Sequence, residues 1–391
     1  MTNPNTHPPE PPAQYIQRFQ TCQTQYQQLR AQAHAQVVRW VWASGMGYHL
    51  EPFYLEEHHY PASRIFKKPP AQTRGKHRYG LNAQDEVIVS EEQYMRFPRR
   101  DYDQFYERFI FRKPGSIETV YFHYAPEKPL VNTTFYRCEQ GLIHEAWLIG
   151  RNGWNHRTYT YDNGTLRHQQ QDFPYAGQIR QRHFDYVCTP AGGLERITEA
   201  GRIIYARLPA GINFTQLETL AVQQLETAIV QALQAWAAAH PDHNPIYAVF
   251  VSYGSETLFP PQLTLGMGAA AHRQTRPVHD NAPGAYDPNE IQNTQLQIDD
   301  LPAGSAIEGL DVYELYNQQA QMLHRENRQN KKIVEICQRL RARFDAGEHW
   351  NLRTTGDFCI VPSHWELSDL KKNFKAVNPR WYEQLKPQLP D

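Results

Sequence analysis

Apolar and polar residues alternate through residues 78–208 in short runs such as 118–124, where Val120 and Phe122 fall on one side. Alternation of this kind is typical of β-strands that bury one face. The runs recur at roughly 8–12-residue spacing and are separated by turn residues, which predicts strands joined by local hairpins. Parallel neighbours would need crossover helices, so we expect one antiparallel sheet and no helix longer than two turns within residues 105–208.

Helical periodicity is found on both sides of this region. Before it, the apolar residues of Ala13–Trp42 recur about every 3.6 residues, which predicts one N-terminal helix. After it, an apolar stripe from Leu217 to Trp236 predicts a second long helix. Thr215 and Glu218 have the spacing of a capping box, so we expect them to begin that helix.

The rest of the chain mixes helices with strands. Ile246–Tyr253 is rich in β-branched and aromatic residues, which predicts a central strand. Two helices are expected near residues 310–328 and 331–344, and Ser363 with Glu366 has the spacing of a capping box for a last helix. These patterns predict an α+β fold, in which an N-terminal helix and antiparallel β-meander module is followed by a smaller α+β module.

The length of the chain and its turn residues predict where the modules divide. The 391 residues exceed one ordinary domain of roughly 100–200 residues. Residues 1–12 are polar and proline-rich, which predicts a disordered tail. We expect the helix-and-sheet module to span residues 13–209 and the α+β module to span residues 210–391.

The distribution of charge bears on the class of partner. The net charge is −1, but residues 1–210 carry 25 Lys and Arg against 20 Asp and Glu, while residues 211–391 carry 15 against 21. This excess of positive charge is too small for a surface that binds nucleic acid through counterion release, so we do not expect a nucleic-acid partner. Modules of opposite net charge can attract each other or meet partners of opposite sign.

The cysteines and the termini bear on cofactors and location. The five cysteines are scattered and none lies in a Cys-x-x-Cys pair, so we expect neither a structural metal site nor a disulfide framework, and no cofactor. The N-terminus lacks the basic and apolar regions of a signal peptide. Because no apolar stretch approaches the roughly 20 residues of a membrane span, we expect a cytoplasmic protein with no membrane association.

Residues 56–59 form the densest cluster of titratable groups. Glu56, Glu57, His58 and His59 are the catalytic candidates, because carboxylates and imidazoles exchange protons near neutral pH. Adjacent histidines point to opposite sides of an extended chain, so one metal ion could not easily bind both. The His-Glu-x-x-His spacing of zinc proteases is also absent. The alternative is a solvated loop before Pro61 with no chemical role.

Basic and aromatic residues are interleaved across residues 74–102. Arginine and aromatic side chains are enriched in the binding hot spots of protein interfaces, so we expect a protein to bind here. The alternative is a solvated rim whose arginine stems cover aromatic rings. The predicted partner-binding residues are Arg74, Arg78, Tyr79, Arg96, Arg99, Arg100 and Tyr102.

Two stretches resemble known bacterial proteins. The hairpin region, with Arg78-Tyr79-Gly80-Leu81, residues 159–162 and Gly164-Thr165-Leu166, is similar to the tyrosine–aspartate repeats of Rhs-type proteins. Residues 215–361 resemble the α+β domains that accompany bacterial polymorphic toxins as immunity proteins. The parts that carry this second resemblance are the helix 217–236 and the strands 246–253, 263–265 and 357–361. It implies protein binding in the cytoplasm of a bacterium that carries a toxin.

Three classes of function fit these observations. The first is an immunity or antitoxin-like protein that neutralises a bacterial toxin by binding it directly. The second is an enzyme or toxin effector, a hydrolase or a nucleic-acid-modifying protein, whose active site is assembled from residues distant in sequence. The third is a scaffold that oligomerises through the N-terminal helix.

We predict that charge reversal at Arg99 and Arg100 slows association with a protein partner and reduces its dependence on salt, because rim charges act mainly on the association rate. Association kinetics of the double variant at two ionic strengths test this expectation. An unchanged rate and salt response would shift attention to the acidic stretch 280–300.

Overall fold

The computed structural model divides the chain into two compact units, Met1–Arg207 and Leu208–Asp391. Each unit has its own sheet. The residues that the structure describes are 10–61, 63–73, 75–92, 106–123, 125–254, 261–267, 295–296, 304–307, 309–323, 326–364, 369–386 and 389.

Among the described residues, the first unit contains one sheet of thirteen strands, all of them paired antiparallel. Strand order follows chain order from β13 to β3, and β1 then pairs with β3 and β2. The strands are β1 Arg39–Ala43, β2 Ile65–Phe66, β3 His77–Leu81, β4 Val87–Glu92, β5 Tyr106–Lys113, β6 Ser116–Phe122, β7 Leu130–Glu139, β8 Leu142–Gly150, β9 Gly153–Asp162, β10 Thr165–Tyr175, β11 Gln178–Cys188, β12 Leu194–Glu199 and β13 Arg202–Ala206.

This sheet confirms the predicted antiparallel meander and the α+β fold. No helix occurs among the described residues of the range 105–208, as expected. Local turns make the meander possible, and the Asn163-Gly164 turn between β9 and β10 has positive φ at both residues. Such a turn needs residues that tolerate the left-handed region, which Asn and Gly do.

The single N-terminal helix expected over Ala13–Trp42 is wrong. The region forms two helices, α1 Ala13–Cys22 and α2 Tyr26–His34, followed by β1. The run from Val37 to Trp42 is β-branched and aromatic, and pairing with β3 gives it the ladder hydrogen bonds that a helix would otherwise supply.

Helices α1 and α2 cover one face of the sheet. Phe19 and Leu29 from the helices pack in one cluster with Phe109, Val120 and Phe122 from the central strands. Rings strengthen this contact, because Tyr15 stacks on Phe135 of β7 with 4.1 Å between ring centroids. Burial of these apolar side chains holds the helices on the sheet.

The second unit packs helices on a four-stranded sheet with order β16-β15-β14-β19, in which β14 and β19 are parallel. Buried β14 is the central strand predicted from its sequence. The described strands are β14 Ile246–Tyr253, β15 Gln262–Met267, β16 Gln295–Leu296, β17 Ala306–Ile307, β18 Leu310–Asp311 and β19 Thr354–His364. The described helices are α4 Phe214–Ala239, α5 Val312–Met322, α6 Glu326–Asp345, α7 Leu370–Val377 and α8 Pro379–Leu385.

Both capping boxes predicted for this unit are wrong. Helix α4 is capped instead by Asn213, whose side chain accepts from the Gln216 backbone while the Gln216 side chain accepts from the Asn213 backbone. Glu218 is buried and pairs with Arg328 at 2.6 Å. Ser363 lies inside β19, because parallel pairing with β14 extends that strand to His364.

In the described part of the chain, no helix combines the length and the apolar character needed to cross a lipid bilayer.

Candidate functional site

Residues 48–60, which we call the covering segment, lie on the sheet face opposite α1 and α2. The pairing register identifies this face. Tyr136 and Arg157 both pair with Ala146 of β8, so the three side chains lie on the same side of the sheet. Phe135, which Tyr15 of α1 contacts, precedes Tyr136 and therefore points to the other side. Side chains of the covering segment reach across several strands from that side. Its short helix, α3 Tyr54–Glu57, is preceded by Phe53, whose φ is 57°.

Glu51 is the centre of the contact between the covering segment and the sheet. Its carboxylate accepts hydrogen bonds from Arg157 and, at 2.7 Å, from the hydroxyl of Tyr159. Burial raises the pKa of Glu51, but attraction to Arg157 and His49 outweighs burial and holds the pKa below its usual range. Glu51 therefore carries its negative charge inside the fold.

Glu57 lies further along the covering segment and has the opposite tendency. Burial raises the pKa of its carboxyl above the ordinary value, and attraction to Arg157 offsets this only in part. The hydroxyl of Tyr186 lies 3.3 Å from Glu57 and 2.8 Å from the amide oxygen of Gln169. Two carboxyl groups whose pKa values move apart can divide the roles of base and acid between them.

The structure does not bring the four predicted catalytic residues together. Glu57 points to β11, whereas the ring of His59 lies 2.5 Å from the carbonyl oxygen of Ile204 in β13. His58 is exposed, and its ring stacks on Tyr54 at 4.1 Å. Burial raises the pKa of the Tyr205 hydroxyl, and the nearby charge of Glu56 raises it further. Glu56, Glu57 and His59 are half-buried, so this stretch is not the fully solvated loop of the alternative, and a catalytic role for these residues stays a prediction.

Sequence reasoning missed Glu51 and its partners. Arg157 and Tyr159 are two residues apart, so they share one face of β9. A charged residue among the side chains of a buried strand face indicates a polar partner on that face. Arg157 was therefore the sequence signal that could have pointed to this site. The partner lies 106 residues away in a stretch without periodicity, so no local pattern names it.

The strands β1, β2 and β3 form one edge of the large sheet, and cationic side chains lie over aromatic rings there. The guanidinium of Arg78 is 4.1 Å from the ring centroid of Trp40 and 5.4 Å from that of Trp42. Arg64 and Lys76 lie 4.9 and 5.8 Å from the ring of Phe66. We call this surface, with its six residues Trp40, Trp42, Arg64, Phe66, Lys76 and Arg78, the cationic edge.

The predicted partner-binding residues fall in different places. Arg78 is part of the cationic edge and pairs with the buried Glu91 at 2.5 Å. Tyr79 is buried on the other face, where its hydroxyl accepts from the backbone of Gly47 at 2.9 Å, so it belongs to the core. Five predicted residues lie outside the described part of the chain, namely Arg74, Arg96, Arg99, Arg100 and Tyr102.

One cluster has the composition of a metal site. His34, Glu91 and Glu107 place ligand atoms within 4.8 Å of one another. Their carboxylates already contact three cations, Arg30 at 3.2 Å, Arg78 at 2.5 Å and Lys128 at 2.9 Å. A divalent ion would have to enter among these positive charges, so the cluster is better explained as ion pairing that ties α2 to β4 and β5.

No protein-family model matches the chain, and no curated protein matches it significantly.

We predict that Glu51→Gln lowers the free energy of unfolding at neutral pH by about 3–5 kcal/mol, because it leaves the buried Arg157 charge unpaired. The pKa of Glu51 is lowered in the folded state, so its contribution is present above the unfolded value of about 4.3 and is lost as pH falls through the folded pKa. Urea unfolding of both proteins from neutral to acidic pH measures the difference, which should shrink on acidification.

Glu57→Gln is the matched control. Because the pKa of Glu57 is raised in the folded state, stability falls as pH rises from the unfolded value of about 4.3 to the folded pKa and stays lower above it. The substitution should leave the protein equally or more stable at neutral pH. Equal destabilisation by the two substitutions would contradict the opposite electrostatic roles of these carboxyl groups.

Proposed function

We propose that this chain is a protein-binding module of the immunity type, and that the cationic edge is its principal contact surface. The single observation that carries the proposal is the arrangement of arginine and lysine over tryptophan and phenylalanine rings at the end of the large sheet. Tryptophan and arginine are enriched in binding hot spots, and aromatic rings bury a large area in an interface.

Charge available at the cationic edge supports a partner of acidic character. Arg64 and Lys76 have no ion-pair partner among the described residues, so their charges are offered to a ligand. Lys67 and Lys68 are exposed directly after β2 and add to the positive potential. Positive potential of this kind speeds the encounter with an acidic protein surface.

The backbone of the same edge supports a partner with an extended segment. Strand β2 covers only Trp42 and Ala43 of β1. Along Arg39–Val41, no described strand pairs with the outer side of β1. An unpaired strand edge can accept a further strand from a ligand, and flanking side chains then select the sequence that is bound.

The resemblance to immunity proteins makes a toxin the first partner to test. On this proposal the chain acts in the bacterial cytoplasm, where it binds the toxin and blocks its active site. Neutralisation by direct binding needs no catalytic residue in the chain, so it agrees with the use of Glu57 and His59 as contacts of the covering segment.

An enzyme is the second candidate, because Glu51 and Glu57 have pKa values displaced in opposite directions within one buried cluster. Glu57→Gln separates the two candidates. An enzyme would lose its acid group and most of its activity, whereas a binding module would keep its affinity for the partner.

We predict that the double variant Arg64→Glu, Lys76→Glu associates about tenfold more slowly with the toxin domain encoded beside this chain's gene, and with a weaker salt dependence. Stopped-flow kinetics at low and high ionic strength measure both effects. Lys113→Glu with Arg151→Glu is the matched control, since it reverses two charges outside the cationic edge and should leave the rate unchanged.

Two results would reject this proposal. If the unmodified chain fails to bind any toxin domain of its genetic neighbourhood, the immunity function is wrong. If it binds one and both double variants associate at the same rate, the function stands but the contact lies outside the cationic edge.

A further inference from the structure

A cavity of about 380 Å³ lies between the covering segment and three hairpins of the sheet, β5–β6, β7–β8 and β9–β10. Its size falls within the range of small-molecule sites, which is roughly 300–1,000 Å³. Much of its lining is apolar. The apolar side chains include Leu50, Phe53, Ile117, Leu142, Ile143 and Leu166.

One buried nitrogen in the lining lacks a hydrogen-bond acceptor among the described residues. It is the Nε group of Arg112, which forms an ion pair with a carboxylate oxygen of Glu86 at 3.6 Å, too far for a hydrogen bond. A second nitrogen of Arg112 donates to the hydroxyl oxygen of Tyr48 at 3.0 Å. Because this contact uses Tyr48 as an acceptor, the hydroxyl proton of Tyr48 remains available. A buried donor normally finds an acceptor, so the Arg112 guanidinium, with the Tyr48 hydroxyl beside it, is the part of the lining suited to an anionic ligand.

The other tyrosine of the cavity differs. The hydroxyl of Tyr161 donates to the backbone oxygen of Ile143 at 2.8 Å, so its proton is already engaged. The positive charge and the available hydroxyl proton are therefore at Arg112 and Tyr48, while much of the remaining lining is hydrocarbon. A ligand that matches both parts carries an anionic acceptor at one end and an apolar body at the other.

We propose that this cavity binds a small carboxylate with an apolar body. The carboxylate accepts hydrogen bonds from Arg112 and Tyr48, and the body packs against Leu50, Phe53 and Leu166. Glu86 lies beside the same guanidinium and competes with the ligand for it. The site is separate from the cationic edge, so it stands or falls independently of the proposed protein partner.

Isothermal titration of the full chain with octanoate, phenylpropanoate and neutral octanol tests the site. Both carboxylates should bind, and octanol should bind at least tenfold more weakly. Arg112→Gln should weaken octanoate binding by about tenfold or more, which is the effect of losing a charge-assisted hydrogen bond. Tyr48→Phe should weaken it several-fold, whereas Tyr161→Phe, its matched control, should leave it unchanged.

Glu86→Gln provides a test in the opposite direction, because removal of the competing carboxylate should tighten octanoate binding. Arg112→Lys keeps a positive charge and serves if Arg112→Gln loses its native circular dichroism. The proposal is overturned if neither carboxylate binds the unmodified chain or if octanol binds as tightly as octanoate. It is also overturned if a folded Arg112 variant binds octanoate with unchanged affinity.

Discussion

The described strands of the first unit form one sheet of thirteen strands, and different parts of the chain pack on its two faces. The helices α1 and α2 cover one face through apolar contacts with Phe109 and Phe122. On the opposite face, Tyr48 and Leu50 of the covering segment add an apolar contact. The same face also holds the buried ion pair between Glu51 and Arg157, and the hydroxyl of Tyr159 donates a further hydrogen bond to the Glu51 carboxylate. A charge buried in this way must keep its partner, so the pair fixes where the covering segment lies.

The position of the covering segment determines the surroundings of Glu57 and the shape of the cavity beside Arg112. It brings Glu57 to Tyr186 and forms one wall of the cavity beside Arg112. At the end of the sheet formed by β1, β2 and β3, Tyr48 of the covering segment packs with Ala43 and Tyr79, and the same strands carry the cationic edge. On that edge, cationic side chains lie over aromatic rings. The edge therefore presents both positive charge and apolar surface, which suits a charged protein partner.

The sequence predicts the meander well because alternation is a local signal that repeats in every strand. It fails for β1, because the apolar run Val37–Trp42 fits a helix or a strand and only pairing with β3 decides between them. It fails at Ser363 for a similar reason, since pairing with β14 extends β19 through a plausible cap. The site was harder to predict. Glu51 meets residues more than a hundred positions away, and such contacts leave no local pattern in one sequence.

The central claim is that Glu51 and Arg157 stabilise the first unit as an interacting pair. A double-mutant cycle with Glu51→Gln, Arg157→Met and the combined variant measures that interaction directly, as free energies of unfolding at neutral pH. We expect each single substitution to be strongly destabilising and the combined variant to lose less than the sum, with a coupling energy of about 2–3 kcal/mol. Additivity within about 0.3–0.5 kcal/mol would contradict the claim, because it would mean that the two residues act independently.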